Sequence, residues 1–270
     1  MHTLPIIEKL GTWEMEMPTM FGWFHIFFLV FFYLLTFLTI LFFKDSPRRT
    51  MKTIVFIGWL SLLILELTKQ LISTYWHGRY YWANFPFQFC EVPLYVYPIL
   101  LLNRNKKFEN ILIAFCCTFS LFGGFAILTL PFTGLNTLVF HSARTMIHHG
   151  IITVIGFYLF AWNRRQVTLK NFFKGSVIFL VVTVIAILFN LYVDKRVPDP
   201  VNMFFLNGEY PTELLIIKRI QPNVPWIIFV LLYIVSFYII ALLTLATEHF
   251  FWWICRLIQN RRRLKEYGNY

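Results

Sequence analysis

Residues 21–43 read FGWFHIFFLVFFYLLTFLTILFF, 23 residues with no acidic or basic side chain apart from His25. A run of about 20 apolar residues at about 1.5 Å of rise per residue covers the roughly 30 Å hydrocarbon layer of a bilayer as a helix. Six further runs repeat the pattern: Thr53–Tyr75, Phe85–Leu102, Ile111–Leu130, Ala143–Trp162, Gly175–Val193 and Val224–Ala246. In hydrocarbon the backbone must satisfy its own hydrogen bonds, so such runs predict helices. The expected fold is all-α, a single transmembrane domain over residues 1–270 with seven helical spans, in which 247–270 forms a basic cytoplasmic tail. Composition agrees: of 270 residues 58% are hydrophobic and only 14% charged, against about 25% charged in soluble domains, and the mean hydropathy is +0.64. Met1–Met20 contains Glu8, Glu14 and Glu16 rather than a basic leader region, so the first run is expected to be retained as a span.

Basic residues orient the bundle. Lys44, Arg48, Arg49 and Lys52 follow the first run, Arg104, Lys106 and Lys107 the third, and Arg164, Arg165, Lys170 and Lys174 the fifth, while Arg256, Arg261, Arg262, Arg263 and Lys265 lie in the tail. The positive-inside rule puts these loops in the cytoplasm, leaving the amino terminus outside and the carboxyl terminus inside. The net charge of +11 is then topology and attraction to anionic lipid at the cytoplasmic face, not a nucleic-acid footprint. The expected location is the plasma membrane. Cys90, Cys116, Cys117 and Cys255 have no metal spacing, no nucleotide motif occurs, and no cofactor is expected.

Polar residues inside the runs lie toward the outer end. Counted inward at about 1.5 Å per residue, His25 and Cys90 are roughly 6 Å deep, Asn190 roughly 5 Å, His149 roughly 10 Å and Glu66 roughly 14 Å. Ionisable groups at membrane depth are costly and mark sites or pathways. One outward-facing polar cavity accounts for them together, and the apolar inner half argues against a conduction path. Each group also has a plainer account. Glu66, Lys69 and Gln70 share one helix face and form a structural ion pair at that spacing. His141, Arg144 and His148 form one stripe of the fifth run, and Thr145 and His149 another, where a histidine can simply bridge helices. A lone cysteine is more often an inert buried residue.

Cys90 lies in Asn84-Phe85-Pro86-Phe87-Gln88-Phe89-Cys90-Glu91-Val92-Pro93, where Pro86 is expected in the first turn of a helix. A helix amino end and a nearby histidine favour thiolate, and Glu91 opposes it. With a histidine as base, a thiol there has the parts for two-step acyl transfer. A transporter or binding protein for a small polar solute would use the same cavity without covalent chemistry. The long loop Asp194–Asn223, with Asp199, Glu209 and Glu213, is either a cap over the cavity or an ordinary connection.

The segments Met20–His25, Phe85–Cys90, His149–Ile152 running to Leu159, and Asn190 with Asn202–Leu206 resemble the YwaF family of bacterial integral membrane proteins. That family is similar to an animal transmembrane acyltransferase acting on ether phospholipids and, more distantly, to seven-span lipid ester hydrolases. The resemblance implies a seven-helix fold with a nucleophile on the third span and a histidine on the fifth, here Cys90 and His149. Gln88 stands where many relatives are expected to have histidine. The expected activity is that of a lipid acyltransferase or lipid esterase with membrane phospholipid as substrate. His25, Glu66, Glu91, His148 and Asn190 would orient the groups or line the cavity, and Lys69 and Arg144 would hold a phosphate headgroup.

Overall fold

The computed structural model describes residues 5–132, 134–212, 214 and 217–267, with side chains to residue 258. Glu213 and the side chains of Arg261, Arg262, Arg263 and Lys265 lie outside the described residues. The described chain is helical: α1 Pro5–Thr12, α2 Trp23–Phe43, α3 Arg48–His77, α4 Pro93–Leu102, α5 Lys106–Phe115, α6 Leu121–Thr129, α7 Val139–Asn163, α8 Leu169–Val193 and α9 Trp226–Tyr267. A π-helical turn, Cys116–Ser120, joins α5 and α6 into one rod. Six helices are long and apolar enough to cross a membrane: Trp23–Phe43, Arg48–His77, Lys106–Thr129, Val139–Asn163, Leu169–Arg196 and Trp226–Ile258. The chain is therefore a multi-pass membrane protein.

The third expected span has a different form. Pro86 is not in a helix; the chain makes a 3₁₀ turn at Trp82–Asn84, runs extended, and becomes helical only at the 3₁₀ turn Phe89–Glu91 and α4. The apolar helix Phe89–Leu102 spans about 21 Å at the usual rise, short of the hydrocarbon thickness. The irregular backbone before it is tolerated because protein surrounds it. Gln70 donates from Nε2 to the Asn84 carbonyl at 2.6 Å, and Gln88 Nε2 donates to the Asn202 carbonyl at 3.0 Å.

α7 is the axis of the bundle. Of its apolar window 78% is buried, against 11% for α2, so the lipid contact falls to the outer helices. Two glycines let neighbours close on this axis. A Cβ at Gly150 would lie 2.3 Å from the Phe32 ring of α2, and one at Gly124 of α6 would lie 3.0 Å from the His149 carbonyl.

Tertiary hydrogen bonds sort the helix ends into two layers. At one end Trp162 donates to the Ser46 carbonyl at 2.8 Å, Lys52 to the Leu101 carbonyl at 2.5 Å, Asn163 to Asn110 at 2.9 Å and His249 to the Val167 carbonyl at 2.7 Å. At the other, Met15 N–H donates to the Thr137 carbonyl at 2.8 Å and Val139 N–H to the Trp13 carbonyl at 2.9 Å. There too Asn84 donates to Ser73 at 2.8 Å, and Arg79 pairs with Asp199.

The loop between α8 and α9 is inserted into the bundle rather than laid over it. Val201, Met203, Phe204 and Leu206 are fully buried. Asn190 grips the Met203 backbone from both sides, donating to its carbonyl at 3.0 Å and accepting from its N–H at 2.7 Å. Gln88 does the same one residue to either side, accepting from Phe204 N–H at 2.9 Å. These bonds hold Phe204 and Phe205 at φ of 58°, a left-handed conformation that costs a bulky side chain about 1 kcal/mol or more.

The half of the bundle expected to be apolar also holds an ionisable group. α9 continues past Ala246, so Glu248, expected in the tail, is buried within the bundle.

Candidate functional site

Cys90 and His149 line one cavity of about 300 Å³. Its walls are Phe89 and Gln88 beside Cys90, Phe122, Gly123, Ala126 and Ile127 of α6, and His141, Arg144, Thr145 and His149 of α7. Phe205 and Leu214 of the inserted loop, with Tyr233 and Phe237 of α9, complete them. The lining is mainly apolar and aromatic with a few polar groups, the makeup of a small-molecule site. The loop is thus part of the cavity wall.

The two adjacent histidines of α7 do different things. A carbonyl only accepts, so His149, whose Nδ1 lies 2.7 Å from the Thr145 carbonyl, carries its proton on Nδ1. In the neutral ring this leaves the Nε2 lone pair without a partner among the described residues, in a side chain that faces the cavity. His148 is turned about 100° away along the helix. Its Nε2 donates to the Cys90 carbonyl at 2.9 Å, and its Nδ1 is buried without a partner. One imidazole is therefore available to a guest and the other holds the backbone of the cysteine turn.

Beside this turn lies a closed quartet of charges. Lys69 Nζ is 2.7 Å from Glu66 Oε1 and 2.8 Å from Glu91 Oε1. Arg144 is 2.5 Å from Glu66 Oε2 and 3.2 Å from Glu91 Oε1. Gln70 adds a donor to Glu66 at 2.7 Å, and Glu91 Oε2 accepts from Gln88 N–H at 2.8 Å. The sequence spacing indicated only the Glu66–Lys69 pair. Glu91 and Arg144 complete it because the 3₁₀ turn at Phe89–Glu91 aims Glu91 at α3 and α7. Two cations and two carboxylates cancel, so Lys69 and Arg144, expected to hold a phosphate, are committed to Glu66 and Glu91.

Arg144 and His141 also border a second cavity of about 490 Å³, covered by α1 and lined by Glu14, Lys69, Ser73, His77 and Asn84 among others. This vestibule, lined by polar and apolar side chains together, adjoins the Cys90 cavity, and His141 and Arg144 of α7 border both. The isolated bridge between Glu14 and Leu138 ties the segment after α1 to the start of α7.

His25 and Asn190 do not line the Cys90 cavity. Phe21 N–H donates to His25 Nδ1 at 2.9 Å, which fixes the proton on Nε2, and this donates to the Leu128 carbonyl at 2.9 Å. A fully buried, fully bonded histidine ties α2 to the end of α6. Asn190 is spent on the Met203 backbone. Depth along a span carries no information on which helix face a residue occupies. Phe205, Tyr233 and Phe237 lining the cavity had no sequence signal among 54 aromatic residues, 32 of them Phe.

Below the cavity the interior is filled by rings. Tyr233 and Phe237 stack with centroids 4.3 Å apart, Phe237 stacks on Phe179 at 5.5 Å, Phe179 on Phe119 at 4.9 Å and Phe119 on Phe172 at 5.5 Å. Among the described residues no group of three or more His, Cys, Asp or Glu side chains is placed to hold a metal ion.

No curated protein and no solved structure matches the chain. The family model that does match is that of the TMEM164 family, a membrane protein family, over residues 20–246, from just before α2 to the middle of α9 and including the cysteine turn, both histidines and the inserted loop. That match covers most of the sequence, and the chain belongs to the TMEM164 family.

Proposed function

We propose that the protein is a plasma-membrane lipid acyltransferase or lipid esterase with Cys90 as nucleophile and His149 as base. The observation that carries this reading is the shared apolar cavity lined both by Cys90 and by a histidine whose Nδ1 proton is fixed by the Thr145 carbonyl. Fixing one nitrogen by a backbone acceptor leaves the other as the proton acceptor, the arrangement a general base requires. The resemblance to the YwaF family, and through it to lipid acyl transfer, points the same way.

In the first half-reaction His149 Nε2 takes the Cys90 thiol proton as Sγ attacks the ester carbonyl carbon of a phospholipid. The ester C–O bond breaks, the lysolipid oxygen leaves with the proton from His149, and a thioester remains on Cys90. In the second, an acceptor hydroxyl or water gives its proton to His149 and attacks the thioester carbonyl. The C–S bond breaks, and the proton returns to the thiolate. His148 is a positioning residue, holding the Cys90 carbonyl. The quartet Glu66, Lys69, Glu91 and Arg144 fixes the cysteine turn against α3 and α7.

The apolar cavity suits an acyl chain, and the aromatic stack beneath it favours a one-sided site over the transporter reading. We take the chain to cross the membrane seven times, amino terminus outside. The supporting observation is that the loops after α2, α4 and α7 meet at one end of the bundle while the short 82–102 segment returns the chain to that end.

The test is acyl trapping. Purified protein is incubated with the para-nitrophenyl ester of a long-chain fatty acid, and the adduct is mapped by mass spectrometry. The wild type is expected to carry a hydroxylamine-labile acyl group on Cys90. Cys90→Ala should carry none, and His149→Ala should lower the trapping rate by about 10²–10⁴-fold without change in thermal stability. An unmodified Cys90 in folded wild-type protein sinks the covalent mechanism.

A further inference from the structure

A third cavity, of about 490 Å³, lies at the opposite end of the bundle from the vestibule and is lined by Arg48, Arg49, Lys52, Thr53, Phe56 and Leu101. Three of its six lining residues are cations, and two of these are fixed. Arg48 is held by the buried Glu109 and donates to the Asn103 carbonyl at 3.0 Å. Lys52 Nζ donates to the Leu101 carbonyl at 2.5 Å and the Asn103 carbonyl at 3.1 Å. Arg49 has neither an acidic partner nor a side-chain hydrogen bond among the described residues. Glu109 offsets one of the three positive charges, so the cavity retains a local excess of about two that no residue of the described chain answers.

The remaining wall is Thr53 with two apolar residues, Phe56 and Leu101. Phe56 is 46% exposed and lies one to two turns along α3 from the cations, and Leu101 is next to Leu102, which is 82% exposed. A ligand that fits this wall has a negatively charged head and a hydrocarbon body. Fixed cations beside an exposed ring at a helix end are the arrangement by which membrane proteins hold acidic headgroups. Arg49 is free to present its planar fork to phosphate oxygens in two parallel hydrogen bonds. We propose that this cavity binds the phosphate group of an anionic phospholipid, with Arg49 as its principal ligand, Arg48 and Lys52 supplying field, and Phe56 packing against the acyl region. The site is separate from the Cys90 cavity and does not depend on acyl transfer.

The test uses the full chain in detergent, titrated with dioleoyl phosphatidylglycerol, with dioleoyl phosphatidylcholine and with inorganic phosphate, following the thermal unfolding midpoint. Phosphatidylglycerol is expected to raise the midpoint saturably, and the other two are not. Arg49→Gln should weaken the apparent affinity about fivefold and Arg49→Glu more, while Arg49→Lys retains most of it. Because Arg49 holds no other residue, these variants are expected to fold and melt like the wild type without lipid. A shift produced by inorganic phosphate alone overturns the assignment to lipid. Equal shifts with phosphatidylcholine, or an unchanged affinity in Arg49→Glu, overturn the site.

Discussion

The two ends of the bundle bury ionisable groups in opposite ways. Near the vestibule, Glu66, Lys69, Glu91 and Arg144 form a quartet in which each acid meets two cations and each cation two acids. Toward the other end Glu248 is equally buried, yet neither carboxylate oxygen has a partner among the described residues, and the indole N–H of Trp252, one turn on, is also alone. The first arrangement shows that burial of charge is sustained when the geometry cancels it over several helices. The second is a polar group held by packing alone, at a cost that the rest of the fold must offset.

Breaking the quartet should have the largest effect on stability. Arg144→Met leaves two buried carboxylates sharing Lys69, one negative charge uncompensated, and is expected to cost about 3–5 kcal/mol, read from thermal unfolding in detergent. Adding Glu66→Gln should recover part of that loss, because it removes the excess negative charge and leaves Lys69 paired with Glu91. If Arg144→Met melts like the wild type, the quartet is not a closed unit. Next is the clamp on the inserted loop: Asn190→Ala removes two buried backbone bonds and should cost about 2–3 kcal/mol. It should also open residues 194–223 to limited proteolysis while the helices stay protected. Glu248→Met is expected to act in the opposite sense, stabilising by about 1–2 kcal/mol, since an apolar side chain of similar volume removes the unpaired acid. A destabilised Glu248→Met would mean that the carboxyl has a partner in the membrane.

The smallest effect is on pH. Asp199, in the loop, accepts from both Arg79 nitrogens and from Trp82 N–H at 2.8 Å. The hydrogen bond from the Arg79 guanidinium holds its carboxyl below the usual carboxylate range. A depressed carboxylate contributes stability above its unfolded value of about 3.9, and that contribution is lost as pH falls through the folded value. Loop proteolysis should therefore be flat from neutral pH to about 4 and rise below it, and Asp199→Asn should abolish that rise.

The helices were legible because hydrocarbon leaves the backbone few choices, and a run such as Trp23–Phe43 has one reading. The third segment was not. Pro86 fits the first turn of a helix as well as it fits an extended stretch, and contacts to Gln70 and Asn202 decided between them. The site was legible as a layer and not as a set of partners. Glu66 and Lys69 are local in sequence, whereas Glu91 and Arg144 join them from other helices across separations of 22 and 78 residues. His25 and His149 share composition and layer, and only the acceptors around each ring separate a tie from a free base. Hydropathy alone ends the last span at Ala246, which leaves Glu248 in the tail, whereas α9 runs on to Tyr267.

The clamp on the inserted loop has a mechanical corollary. Gln88 holds Asn202 and Phe204 while lying two residues before Cys90, and Asn190 holds Met203 between them. Residues 202–204 of the loop are riveted to the bundle, while the arms on either side are tied separately, Asp199 by Arg79 and Asp194 by the Tyr210 hydroxyl. Any swing that uncovers the cavity must then either pivot on the arms with the rivet intact or pull the cysteine turn along with it. In the second case, opening the entrance would displace Cys90, and under the proposed acyl transfer a guest would meet the thiol in place only after the loop had reseated.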